Sequence, residues 1–103
     1  MKAYLIDPRK RKISKVDYNG DFHQICGLIN ADIFTAVYPF NNGDSIYVDD
    51  MGLYQELNYC FSVKCDNGTT QDLYGNGLVL GANEEGESVA VKTSLAKLKK
   101  RIS

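Results

Sequence analysis

The sequence predicts an α+β domain: a mainly antiparallel, curved sheet with two short helices packed on it, spanning residues 1–103 as one unit. Three observations lead there. Several short runs rich in β-branched and aromatic residues read as strands. Apolar spacing turns helical in only two places, after Asp21 and after Ser94. An Asn67-Gly68 pair between two strand-like runs is a strong hairpin signal, because both residues tolerate positive φ. With 103 residues, 44% of them hydrophobic and 24% charged, the chain suits a single core and not a mainly disordered segment.

Residues 2–7 and 12–18 form the first two expected strands, joined by a polar, basic turn from Pro8 to Arg11. Phe22, Ile25, Cys26 and Ile29 lie at i, i+3, i+4 and i+7, which predicts a short helix. Asp21 is its expected cap, with Gln24 completing a capping-box-like pair and Asn30 suited to its end. Residues 33–38 form a strand stopped by Pro39, and residues 45–49 the next, with Asn41-Asn42-Gly43-Asp44 as the turn. The run 59–65 alternates, with Tyr59, Phe61, Val63 and Cys65 on one face, and residues 70–74 return as its partner. Leu78 to Leu80 form a short buried strand, with Gly75, Gly77 and Gly81 expected as bends. A loop at 83–86 precedes a strand-like stretch at 88–92, and Ser94 caps a final helix through Ile102 with Leu95, Leu98 and Ile102 inward.

Charge is segregated along this order. Residues 1–15 and 92–103 hold eleven of the twelve basic residues against one acid, a net of +10, whereas residues 16–91 net −11. The overall charge of −1 conceals both. Chain ends often meet on a domain surface, so Arg9, Lys10, Arg11, Lys12, Lys97, Lys99, Lys100 and Arg101 are expected as one basic patch.

Other chemistries find little support. Asp7 and Pro8 interrupt the N-terminal segment before an apolar run reaches signal-peptide length, and no stretch nears the ~20 apolar residues of a membrane span. A cytoplasmic protein is the expectation. Cys26, Cys60 and Cys65 include no C-x-x-C pair and accompany a single histidine, which predicts reduced thiols, no metal site and no cofactor. The Gly75 to Gly81 segment begins like a phosphate loop but leads into β-formers instead of a helix. Asp44, Asp49 and Asp50 lack the spacing of a calcium loop, and a solvated strand end fits them better. His23 and Cys26, three apart on the first helix, are the one conceivable nucleophile pair, although a cysteine on an apolar face is ordinarily a packing residue. The aromatic residues fall chiefly in the acidic middle, which repels phosphate, and only Tyr4 lies beside the basic ends. A non-enzymatic protein is therefore expected.

The run from Ile46 to Leu53, with Asp49-Asp50-Met51-Gly52 at its turn, followed by Gly75-Asn76-Gly77-Leu78-Val79-Leu80-Gly81, resembles a family of small proteins of unknown function carried by phages and mobile elements. The placement of Gly27-Leu28-Ile29 is similar too, and the resemblance covers roughly residues 25–85. It implies a protein that blocks a host defence or nucleic-acid-processing complex, and it assigns no catalytic residue.

Residue chemistry offers a matching means. Carboxylates on a rigid sheet present negative charge where phosphates would sit, so Asp44, Asp49, Asp50, Asp66, Asp72, Glu84, Glu85 and Glu87 are the candidate surface for a host protein or protein–nucleic-acid complex. The rival readings are direct nucleic-acid binding by the basic ends and a small enzyme built on His23 and Cys26. Exposed strand edges also leave room for a homodimer.

Overall fold

The structure is a computed structural model that describes residues 1–51 and 59–103. In chain order it comprises β1 (Lys2–Asp7), β2 (Lys12–Asp17), α1 (Phe22–Ile29), β3 (Phe34–Val37), β4 (Ser45–Asp49), β5 (Cys60–Lys64), β6 (Thr70–Tyr74), β7 (Gly77–Ala82), β8 (Ser88–Val89) and α2 (Leu95–Arg101). All named strand pairs are antiparallel. The main sheet runs β2-β1-β7-β4-β3 with β8 added to β7, while β5 and β6 form a separate ribbon. The α+β class is as the sequence predicts. The main sheet is open, and among the described residues β2 and β3 are its two edges.

Alternation along the strands divides the core into two layers. Tyr4, Ile6, Ile46, Val48 and Val79 face one side, where Phe61, Val63 and Leu73 of the ribbon and Leu98 of α2 cover them. Ala3, Leu78 and Leu80 face the other, against Tyr18 and Ile25 and Ile29 of α1. The sheet is thus sandwiched, and its central strand β7 is buried from Gly77 to Gly81. That burial on both faces explains why β7 reads as a continuous apolar run and not as an alternating one.

Several local features depart from the expected chemistry. Gly75 has the positive φ of a bend, but Gly77 and Gly81 are extended strand residues. They are small because neighbours lie close: a Cβ on Gly77 would meet the Phe61 ring at 2.8 Å, and one on Gly81 the Ala90 carbonyl at 2.5 Å. The 66–69 hairpin turn is not the two-residue type, since only Gly68 has positive φ and Cys65 N–H bonds the Thr69 carbonyl at 2.8 Å. Asp21 caps α1 by accepting from His23 N, yet Gln24 accepts from Asn19 N at 2.7 Å, so the capping box is not closed. β8 is only two residues long, because from Val91 onward the chain bonds elsewhere: Val91 N–H donates to the Lys2 carbonyl at 2.9 Å.

Among the described residues, one buried side-chain group lacks a partner. The Tyr18 hydroxyl makes no hydrogen bond, although the residue is only 1% exposed, and burial, with Tyr47 and Asp21 adding to it, pushes its pKa up. An unpaired buried hydroxyl carries its desolvation cost of about 1–3 kcal/mol with no return. Tyr18→Phe is therefore expected to leave stability unchanged or raise it by about 1 kcal/mol in urea unfolding. A loss above that size would mean the hydroxyl is bonded in solution.

Candidate cationic cleft

The basic ends of the chain meet in part. Arg11 and Lys12 from the β1–β2 turn and Lys99 from α2 line one cleft of about 680 Å³, together with Ile6, Asp7, Pro8, Ile13, Cys60, Phe61, Ile102 and Ser103. The three cationic side chains belong to exposed residues, while Ile6 and Phe61 are buried beneath them. Asp7 is the one acid among the described residues of the lining, and its Oδ1 accepts from Lys10 N at 3.2 Å. On the opposite side of the same turn, Arg9 and Lys10 line a second cavity of about 470 Å³ with Asp49, Tyr59 and Asn76. Four consecutive cations thus straddle the hairpin tip.

Each wall of the cleft is positioned by backbone chemistry. The turn closes with Asp7 opposite Lys12 and Arg11 N–H donating to the Pro8 carbonyl at 3.3 Å. Arg11 itself sits at φ 52°, in the left-handed region where glycine or asparagine is usual. Lys99 is held from the other side. Beyond α2, Ser103 exchanges two backbone bonds with Ser62, at 2.9 and 3.0 Å, so the chain is bridged to β5 at Ser62 and Val63.

The start of α2 is fixed by a buried carboxylate. Asp44 is 0% exposed, and its Oδ1 accepts from Lys92 N at 3.0 Å while Oδ2 accepts from Thr93 N at 2.8 Å and Thr93 Oγ1 at 2.5 Å. Those bonds tie the residues just before the Ser94 cap to the turn leading into β4, and Gly81 leaves the room they need. Asp44 is therefore not part of an acidic surface, as its residue type led us to expect. It is an interior acceptor for backbone donors that no strand partner satisfies.

The other candidate carboxylates do not gather on one face. Asp49 and Asp50 lie at one end of the sheet, past the Tyr47–Leu78 pair, whereas exposed Glu84, Glu85 and Glu87 lie beyond Ala82 at the other. At ~3.3 Å per strand residue these groups stand roughly 20 Å apart or more. Asp66 pairs with Arg101 at 2.7 Å, and Asp72 accepts from Ser62 Oγ at 2.5 Å on the ribbon's outer face. The Asn41 N–H bond, then Arg101 and Lys97, hold the Asp66 carboxyl below its ordinary pKa against a smaller opposing effect of desolvation. Lys97 and Arg101 consequently line a third cavity with Asp66, away from Lys99, and Lys100 is exposed to solvent. The single basic patch expected from the sequence is thus split between the two flanks of α2.

His23 is exposed and Cys26 half-buried, with its thiol 3.7 Å from the Asp32 carbonyl. No hydrogen bond joins the two side chains among those described. No group of three or more His, Cys, Asp or Glu side chains among the described residues is placed to hold a metal ion. Among the same residues, no helix is long and apolar enough to cross a membrane. Gly52 and Leu53, part of the run that carried the sequence resemblance, lie outside the described residues.

Comparison with known families settles the relationship at a coarse level. Residues 1–103 match a family described as a domain of unknown function, DUF3846. The chain belongs to that family. The match covers the β1–β2 tip and α2 as well as the middle of the chain, so the cleft is built wholly from parts of the DUF3846 domain. No curated protein and no solved structure matches the chain.

Proposed function

We propose that this DUF3846 domain binds nucleic acid, without catalysis, through the cleft between the β1–β2 tip and α2. The observation that carries this reading is the convergence of Arg11 and Lys12 with Lys99 from the far end of the chain. Cations gathered on a concave, partly apolar surface attract phosphates and displace their counterions, which gives affinity with little dependence on sequence. Phe61 is too buried to serve as a stacking platform, so phosphate contacts carry the binding. Mimicry of nucleic acid by the acidic residues has weaker geometric support, because the candidates occupy opposite ends of the sheet or are already paired. A phage or mobile-element origin rests on the sequence resemblance alone.

A fluorescence-anisotropy titration with labelled single-stranded and duplex oligonucleotides, at 50 and 200 mM salt, tests the reading. Three phosphate contacts give a slope of about −2 to −3 in log affinity against log salt, a loss of about 20- to 60-fold across that interval. No binding at 50 mM salt overturns the proposal.

The strained tip adds a more specific expectation. Arg11→Gly removes a charge and also relieves the positive-φ backbone, so stability is expected to hold or rise by up to about 1 kcal/mol. Nucleic-acid affinity should nevertheless fall several-fold. Paired thermal-melt and anisotropy measurements check both, and unchanged affinity would remove Arg11 from the binding surface.

A further inference from the structure

The two edges of the main sheet are protected unequally. Edge strand β2 carries exposed Lys12, Lys15 and Asp17, charges of the kind that prevent a second sheet from adding there. Edge strand β3 carries none: from Ile33 to Tyr38 there is no charged residue, and those two are 59% and 72% exposed. Its α1-facing side holds an aromatic ladder, with Phe22 and Phe34 6.1 Å apart and Phe34 and Tyr47 5.4 Å apart. Phe22, 62% exposed, leaves that ladder open to solvent.

We propose that β3 is a self-association edge, on which a second copy of this chain adds its own β3 antiparallel to form one continuous sheet. Antiparallel pairing through a two-fold axis is self-complementary, so the same uncharged segment serves both partners and no like charges are opposed within it. With the axis at Ala36, Phe34 of each copy lies opposite Tyr38 of the other. Both residues share the α1-facing side of the strand, because they are an even number of positions apart. The pairing therefore covers Tyr38, the most exposed aromatic side chain among the described residues, extends the ladder across the interface and satisfies edge backbone groups. Four-residue strands bury less than the ~1,200 Å² of a stable interface, so the dimer is weak, with a dissociation constant on the order of 10–100 µM. β3 is the edge remote from β2, so the cleft stays open in both copies, and the dimer stands or falls independently of nucleic-acid binding.

Sedimentation velocity on the full chain from about 5 µM to 1 mM, which brackets that range, is the test. The expected result is a concentration-dependent shift from monomer to dimer. Thr35→Lys and Tyr38→Lys, both at exposed positions, should each weaken it at least tenfold with unchanged far-UV circular dichroism, whereas Lys15→Gln on the other edge should not. A monomer at 1 mM overturns the proposal. So does a dimer indifferent to both β3 substitutions, or one altered by Lys15→Gln alone.

Discussion

Asp44→Ala is expected to lower stability by about 3–5 kcal/mol, the largest effect of any single side-chain change considered for this domain. The carboxylate receives two backbone N–H groups and the Thr93 hydroxyl in a fully buried position. Removing it strands those donors, each at a cost of about 1–3 kcal/mol, and leaves a small void. Asp44→Asn should be nearly as damaging, because the two carboxylate oxygens face different donors and the amide would turn an NH₂ group toward one of them. At about 4–8 °C per kcal/mol for a domain of this size, the Ala variant should melt roughly 12–40 °C lower. Urea unfolding checks the free energy, and a loss below about 1 kcal/mol would show that water replaces the carboxylate. Because these bonds also place the start of α2, a folded Asp44 variant should bind nucleic acid less well.

The second large effect concerns the cleft. Lys12→Glu and Lys99→Glu are each expected to weaken nucleic-acid binding about tenfold and to lower the salt slope by about one unit, uniformly across oligonucleotide sequences. Both residues are exposed, so stability should change by no more than about 0.5 kcal/mol. The double variant should lose most binding at 200 mM salt. Lys15→Glu, with the same charge change but away from the cleft lining, is the control and should have a markedly smaller effect. Equal losses for all three lysines would indicate attraction to overall charge and not to this site.

Much of the fold is legible in the sequence, since strand alternation, helical spacing and capping residues are local. Asp21 and Ser94 cap the helices expected of them, and Asn30 adopts the left-handed C-cap. What escapes local reading depends on tertiary neighbours. Asp44 looks like a surface acid until the Lys92–Thr93 backbone is brought against it. Gly77 and Gly81 look like bends until the Phe61 ring and the Ala90 carbonyl approach them. Gln24 looks like a capping-box residue until Asn19 N–H takes its side chain.

The site shows the same division. Segregation of basic residues to the chain ends is visible in composition, and their convergence follows from where Ser103 joins β5 and where Asp44 anchors the entry to α2. No sequence signal separates Lys99, which faces the cleft, from Arg101, which is taken by Asp66. The left-handed backbone at Arg11 is equally invisible, because arginine is not a residue that announces it.

Amide chemical-shift mapping on the ¹⁵N-labelled domain, titrated with a short oligonucleotide at low salt, addresses the binding surface most directly. The expected perturbations fall on residues 8–13, 60–62 and 95–103, with residues 83–88 unaffected. Perturbations centred on Glu84, Glu85 and Glu87, or none at any concentration, would contradict the assignment of the cleft.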